Sequence, residues 1–244
     1  MRTTCTLFGP PSFFVRRSPN SFLFSVFLTL TLSLLSCFFF SFLLFTKLSE
    51  ASTTAIMAAP SSKTLKNLNG KWTMNKTLSD SSEPVLSLQG VGYLIRKGIS
   101  LATITLEVEQ YEGPPKPPNT AADVVTHIDI KQSASGLSST QENRCFDNFP
   151  RDHTDWLFGT VTGRSRWVSL DEVTDEFLKK GWEIEGEGQN FITNIAENKE
   201  KGWVAEQVWG FQIVDGERRY CRHVVVTKGA ERAQIRLVYD FNEE

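Results

Sequence analysis

The histidines of the chain are the side chains best suited to act as general bases or metal ligands. His127, His153 and His223 are far apart in sequence and lack metal-ligand spacings such as HxxxH or HExxH. His153 lies between Asp152 and Asp155, where a carboxylate could orient the imidazole as a general base. The other interpretation is a solvated loop histidine with no catalytic role. We predict no metal site and name no catalytic residue.

The four cysteines are too few and too scattered for a disulfide scaffold or a zinc site. Cys5 and Cys37 lie in an amino-terminal segment, whereas Cys145 and Cys221 lie in the rest of the chain. Free cysteine is among the most buried residue types, so we predict that Cys145 and Cys221 are small buried hydrophobes rather than nucleophiles. No cofactor is predicted.

Alternating apolar and polar residues predict the strands that position the candidate side chains. Three stretches near the carboxyl end each place one set of residues on a single face. These faces consist of Trp203, Ala205, Gln207, Trp209, Phe211 and Ile213; of Tyr220, Arg222, Val224 and Val226; and of Ile235, Leu237, Tyr239 and Phe241. Short turns at Asp215-Gly216 and Lys228-Gly229 join them, which is typical of an up-and-down barrel.

Two short helices are predicted between the first two strands of this domain. A strand begins at Gly70-Lys71-Trp72, and Ser79 to Ser82 supplies side-chain oxygens that can cap a helix. In the second helix, Val91, Leu94 and Ile95 recur at spacings of three and four, which predicts one buried face. Alternation returns in the strand that follows.

This helix pair resembles that of a known family. Gly-x-Trp at Gly70 to Trp72 and Gly90-Val91-Gly92-Tyr93-x-x-Arg96-Lys97 are similar to the intracellular fatty-acid-binding proteins, lipocalin-like members of the calycin superfamily. The resemblance implies an all-β fold, an antiparallel up-and-down β-barrel of about ten strands with a helix-turn-helix lid over an apolar ligand. It is weakest in the middle of the chain. There, Asp171 to Gly181 predicts an extra inserted helix, and Gly163 predicts a hairpin turn.

The resemblance also implies where a ligand would bind. In the fatty-acid-binding proteins, Arg-x-Tyr on the last strand holds the ligand carboxylate, because a guanidinium pairs with it bidentately. Here Arg236-Leu237-Val238-Tyr239 is one residue longer, so Arg236 and Tyr239 would point to opposite faces of a regular strand. Tyr220-Cys221-Arg222 could serve instead, unless these arginines are solvated outside the barrel. The predicted ligand-binding residues are Arg222, Tyr220, Arg236, Tyr239, Trp209, Val91, Leu94 and Ile95.

The overall charge of the chain restricts its partners. Its net charge is -2 at pH 7, and no basic patch or stripe suggests a nucleic-acid partner. We therefore predict no nucleic-acid binding, a small hydrophobic ligand as the partner, and a monomer.

Residues 1–56 differ in composition from the barrel domain predicted over residues 57–244. Ser21 to Phe45 is an almost charge-free run about as long as a bilayer is thick. Arg16 and Arg17 precede it, so this segment has the pattern of a signal anchor with one transmembrane helix. The alternative is a misplaced start, because Met57 opens an ordinary cytosolic amino terminus. We expect a membrane-anchored protein in the first case and a cytoplasmic one if translation starts at Met57.

Two functions are compatible with an apolar chamber inside a barrel. The first is non-enzymatic binding and carriage of a small hydrophobic ligand, a fatty acid or related lipid. The alternative is a small enzyme of isomerase or cyclase type acting on an apolar substrate, with an acid or base from Asp152 to Lys180. We favour the carrier over the enzyme. An inward cluster of Asp, His and Arg would favour the enzyme, whereas a smooth apolar cavity with one cationic anchor would favour the carrier.

Overall fold

A computed structural model describes residues 56–135, 139–184, 186 and 188–243 of the chain. The strands are β1 (Ile56–Met57), β2 (Gly70–Met74), β3 (Ile104–Gly113), β4 (Val125–Ala134), β5 (Thr140–Cys145), β6 (Arg151–Asp155), β7 (Gly159–Val168), β8 (Phe191–Asn198), β9 (Trp203–Val214), β10 (Glu217–Lys228) and β11 (Glu231–Asn242). Helices α1 (Glu83–Leu88) and α2 (Tyr93–Leu101) lie between β2 and β3.

Strands β2 to β11 form a nearly closed antiparallel barrel. Their hydrogen-bonded order is β5-β4-β3-β2-β11-β10-β9-β8-β7-β6. Strands consecutive in sequence are therefore neighbours, except β5 and β6, and the pairing of β2 with β11 joins the first and last of these strands. In that pair Met74 lies opposite Tyr239, while β5 and β6 are the two ends of the path. The predicted fold class, an up-and-down β-barrel with a helix pair between its first two long strands, is confirmed.

Trp72 packs where the first and last long strands meet. Its side chain is fully buried, and its indole N–H donates to the Leu68 carbonyl at 2.9 Å. The ring contacts Tyr220 and Phe241, with centroid separations of 5.1 and 5.0 Å. Aromatic burial of this kind stabilises the seam that holds the barrel together.

An arginine ties the two helices to each other. Gly90, at φ 76°, makes the left-handed turn between them. Arg96 of α2 then donates to Glu83 of α1 at 2.8 Å and to the carbonyl of Val91 at 2.5 Å. The helix pair is therefore held by polar contacts along its outer side.

The buried face predicted for α2 is wrong for two of its three residues. Leu94 is 82% exposed and Ile95 37% exposed, whereas Val91 is buried. The helix begins only at Tyr93, after Gly92 in an extended conformation. Val91 therefore precedes the helix, and its position does not set the face on which Leu94 and Ile95 lie.

The helix predicted over Asp171 to Gly181 is also wrong. The segment forms a short 3-10 helix, Leu170–Glu172, followed by turns. The carboxylate of Asp175 accepts hydrogen bonds from the backbone N–H groups of Phe177 and Leu178, at 2.9 and 3.3 Å. Such local side-chain bonds compete with helix formation. The segment lies against the outer wall of the barrel, where the ring of Phe177 stacks on His223 at 4.7 Å.

Gly210 provides the room that this segment needs on the outer wall. A Cβ at this position would lie 2.6 Å from Cε3 of Trp182 and 3.1 Å from the Phe191 ring. We expect Gly210→Ala to lower the free energy of unfolding by about 1–3 kcal/mol, because two buried rings would have to move. Urea unfolding would measure the change.

Gly163→Ala is the matched control, since it is a strand glycine whose added Cβ would meet only ordinary contacts, the nearest at 3.9 Å. It is expected to change the free energy of unfolding by less than about 1 kcal/mol. Equal unfolding midpoints for the two variants would contradict the packing described here.

The hairpin predicted about Gly163 forms elsewhere. Gly163 lies inside β7, paired with Arg151 on one side and Ala196 on the other. The turn lies instead between Asp155 and Gly159, where the Asp155 carboxylate accepts from the backbone of Leu157 at 2.8 Å. Capping by Asp155 and the left-handed conformation of Gly159, at φ 77°, therefore form this turn.

The predicted membrane segment lies outside the described residues, as does the rest of the chain up to residue 55. Within the part that the structure describes, no helix combines the length and apolar character needed to cross a bilayer.

Candidate functional site

A cavity of about 530 Å³ lies inside the barrel and extends beneath the helix pair. Apolar side chains form its wall near the helices: Val85, Leu86, Ile99, Leu157, Phe158, Val161, Ala196, Trp203, Ala205, Val224, Ile235 and Leu237. A cavity therefore lies where the sequence placed the ligand chamber, with an apolar wall near the helices, and its volume is typical of a small-molecule site.

Another part of the same cavity wall is charged. It contains Lys116, Glu142, Arg144, Arg151, Asp152, His153, Asp155, Arg164 and Arg222. The chamber is therefore amphipathic, and it is not the smooth apolar cavity with a single cation that a simple carrier would present.

Arg222 offers a buried hydrogen-bond donor at this wall. Strand alternation places it on the inward face of β10 together with Tyr220, and the residue is only 4% exposed. Its guanidinium lies 3.9 Å from the ring centroid of Trp209, and its Nε donates to the Tyr220 hydroxyl at 2.9 Å. Among the described residues, its Nη2 has no hydrogen-bond partner. A buried cation with a free N–H is suited to bind an oxygen acceptor.

Arg144 lies near the same tryptophan and pairs with Glu142. Arg144 donates to the Glu142 carboxylate at 2.6 Å, and its guanidinium lies 5.2 Å from the Trp209 ring centroid. Burial alone would raise the pKa of Glu142, but the nearby charges of Arg144 and Arg222 outweigh it and hold that pKa below its ordinary value. Glu142 thus remains ionised and compensates the two arginines.

Curated proteins that are similar over most of this chain share one description. The protein named "Probable pericyclase scpY", from Mollisia scopiformis, is 35% identical over 189 residues, which cover 75% of this chain and 94% of the relative. "Pericyclase pydY", from Acremonium sp, is 31% identical over 187 residues, which cover 76% of this chain and 97% of the relative. This chain belongs to the pericyclase family.

Membership of this family corrects our preference for a non-enzymatic carrier, which is wrong because the curated relatives are named as enzymes. No protein-family model matches the chain. Among solved structures, the wild-type fluorescent protein UnaG is similar at 15% identity with a TM-score of 0.42, over 70% of this chain and 95% of that one.

In this member of the pericyclase family, the two arginines predicted to bind the ligand lie on opposite faces of the barrel wall. Arg222 and Tyr239 both line the cavity. Arg236 lies on the other face of β11, where its Nη2 contacts the Leu78 carbonyl at 3.4 Å. The longer spacing between Arg236 and Tyr239 thus places them on opposite faces, and the clamp that the resemblance implied on the last strand does not form.

The other predicted ligand-binding residues support the wall rather than line it. Tyr220 and Trp209 are fully buried beneath Arg222. Val91 packs with Val85 and Leu86 behind the cavity wall. Leu94 and Ile95 are exposed on α2 and lie away from the cavity.

Of the three histidines, only His153 lines the cavity among the described residues. Its Nε2 is 3.7 Å from the Asp155 carboxylate. The ring of His223 instead contacts the Phe177 carbonyl at 2.7 Å, and that of His127 contacts the Pro114 carbonyl at 3.0 Å. No group of metal-binding side chains occurs in the described part of the chain.

Both cysteines of the barrel are buried free thiols, as predicted. Burial raises the pKa of the Cys221 thiol to about 12 and also raises that of Cys145. A thiol with a raised pKa is a poor nucleophile at neutral pH.

Sequence reasoning missed Glu142 and Arg144. They are two residues apart on β5, so a period-two pattern places both side chains on one face. When a strand is considered alone, a face with charged residues is interpreted as exposed to solvent. The pairing of β5 with β4 supplies the missing context.

A proline-rich loop closes the barrel wall near β5 and β6, the ends of the sheet path. Arg151 of β6 donates from Nε to the Pro117 carbonyl at 2.9 Å and from Nη2 to Asp147 at 2.7 Å. Pro117 and Arg151 both line the cavity. This arginine therefore fastens the loop across the wall where strand pairing is incomplete.

Proposed function

We propose that the chain is a pericyclase that closes a ring in an apolar substrate enclosed by the barrel. Its similarity to two proteins named pericyclases is the observation that carries the proposal. The amphipathic chamber supports it, because an apolar wall near the helices adjoins a polar wall built around Arg222.

A pericyclic reaction reorganises π and σ bonds in one concerted step through a cyclic transition state. Its barrier therefore depends on bringing the reacting atoms of the substrate into the reactive conformation. Holding reacting atoms at near-attack distance can supply much of the required acceleration. The apolar wall near the helices would restrict the substrate chain in this way.

Arg222 would contribute electrostatically. Its free Nη2 would donate to an oxygen conjugated with the reacting double bonds and stabilise the charge that shifts onto that oxygen in the transition state. Trp209 supports the guanidinium from below at 3.9 Å, and Tyr239 lies on the same wall. We propose that Arg222, Trp209 and Tyr239 act together as the functional residues of this polar wall.

The test uses the purified full-length protein with the substrate of the Acremonium pericyclase and with a synthetic linear trienone. We expect ring closure to be faster than the uncatalysed reaction and the ratio of stereoisomers to change. In heavy water the product should contain no deuterium at carbon, because a concerted ring closure transfers no proton.

Binding is measured in parallel by quenching of tryptophan fluorescence. Compounds that bind in the chamber and yet cyclise at the uncatalysed rate, with an unchanged isomer ratio, would overturn the proposal. More deuterium at carbon than in the enzyme-free control would indicate a proton transfer and would overturn the concerted mechanism.

A further inference from the structure

Trp203 is a buried tryptophan whose polar atom is left without a protein partner. It begins β9 and is 1% exposed, and its ring packs edge-on against Phe158 at 5.8 Å. The same ring lines the cavity. Within the described part of the chain, the indole N–H of Trp203 makes no hydrogen bond.

The other fully buried or nearly buried indoles behave differently. Trp72 donates to the Leu68 carbonyl at 2.9 Å, Trp182 to the Leu178 carbonyl at 2.7 Å, and Trp209 to the Gln207 side chain at 3.0 Å. Buried indole N–H groups usually find a partner, so an unpaired one calls for a specific explanation. Because Trp203 lines the cavity, a bound molecule can supply the missing acceptor.

Arg222 provides a second unpaired donor in the same chamber, at a fixed distance from the first. It pairs across the sheet with Trp209, which lies six residues beyond Trp203 on the same inward face of β9. At about 3.3 Å per residue, these positions are about 20 Å apart along the strand. Ala205, Gln207 and Val224 line the cavity between them, so the intervening wall is mostly apolar, with Gln207 as a polar residue next to Trp209.

We infer that the natural substrate is a long apolar molecule with an oxygen acceptor at each end, one bound by Arg222 and the other by the indole N–H of Trp203. This inference rests on the proposed function, which makes the chamber the active site. It adds a second anchor, beneath the helix pair, where Trp203 packs with Val85, Leu86 and Val91. Fixing both ends would restrict the substrate chain between them to few conformations, which lowers the entropic cost of reaching the reactive one.

The test compares two probes that differ only at one end, palmitic acid and omega-hydroxypalmitic acid, by isothermal titration calorimetry on the full-length protein. We expect the wild type to bind the hydroxylated probe about fivefold more tightly, the value of one typical hydrogen bond. Trp203→Phe keeps an aromatic ring, although a smaller one, and removes the N–H, so it should bind both probes with equal affinity.

Trp182→Phe is the matched control, because Trp182 is also a nearly buried indole but lies on the outer wall, next to Gly210. It should lower the melting temperature, since it loses a satisfied hydrogen bond, and keep the fivefold preference. Trp203→Phe should lower the melting temperature less than Trp182→Phe does, because both lose the same ring volume but the N–H that Trp203 loses is unpaired.

Three results would overturn the inference: equal wild-type affinities or no binding of either probe, a preference that survives Trp203→Phe, or an equal loss of preference in Trp182→Phe. These experiments measure binding alone. A protein that shows the predicted preference and closes no ring would contradict the proposed function only, and a ring-closing protein without the preference would contradict only this inference.

Discussion

Arg222→Met is expected to lower kcat for ring closure about a hundredfold, the usual effect of removing one preorganised donor from a transition state. The side chain is 4% exposed and stacks on Trp209 at 3.9 Å. Methionine is also long and unbranched, so it can occupy the same space over the ring without the cation. Steady-state kinetics with the substrate of the Acremonium pericyclase would measure the change, and KM is expected to rise as well.

Arg236→Met is the matched control for this substitution. Arg236 faces Leu78 on the other side of the barrel wall, so its replacement should leave kcat and KM at wild-type values. Circular dichroism and thermal melting should show both variants folded, because Glu142 keeps Arg144 as its ion-pair partner when Arg222 is replaced. An Arg222→Met enzyme with wild-type kcat would exclude electrostatic assistance by this residue.

Glu142→Gln is expected to destabilise the protein by about 2–3 kcal/mol, somewhat less than the loss of a partner from a fully buried ion pair. Its carboxylate compensates Arg144, whose side chain is 14% exposed, and acts on Arg222, which is more deeply buried. Glutamine keeps the shape and removes the charge, so two guanidiniums would remain on one tryptophan without a counterion. Urea unfolding at neutral pH would measure the loss.

The pH dependence of this effect has a definite sign. The folded-state pKa of Glu142 is lowered, chiefly because Arg144 and Arg222 outweigh burial. Its stabilising contribution is therefore complete above the ordinary glutamate pKa of about 4.3 and is lost as the pH falls toward the lower folded-state value. The difference between wild type and Glu142→Gln should shrink in acid.

Glu107→Gln is the appropriate control, because Glu107 pairs with Lys131 at 3.2 Å on the exposed surface. Exposed pairs contribute about 0–1 kcal/mol. If both glutamine variants lost equally little stability, Glu142 would have no role in compensating the buried arginines.

Period-two alternation predicted much of the polar wall. It placed Arg222 and Tyr220 on one face and separated Arg236 from Tyr239, and both outcomes follow from the geometry of a strand. It could not place Glu142 and Arg144 at the site, because the pattern of β5 alone does not say which face is inward. That choice depends on the register between β5 and β4 and on closure of the sheet.

Helical periodicity was less reliable where side chains bond to the nearby backbone. The Asp175 carboxylate turned the predicted inserted helix into a series of turns, and extended Gly92 delayed the start of α2 until Tyr93. The function was harder still, because a carrier and a cyclising enzyme can share one barrel, and the difference lies in the side chains of the wall. Every strand from β2 to β11 contributes residues to the cavity wall, so no single stretch of sequence contains the site.

Pairing between β2 and β11 has a consequence for biosynthesis. During translation, the strand that completes the barrel is the last of its strands to leave the ribosome. Until then β2 and β10 are unprotected sheet edges, which favour aggregation. Such long-range pairing also slows folding. A nascent chain stalled before Glu231 should therefore bind chaperones and lack any ligand-binding capacity, both of which should change once β11 is released.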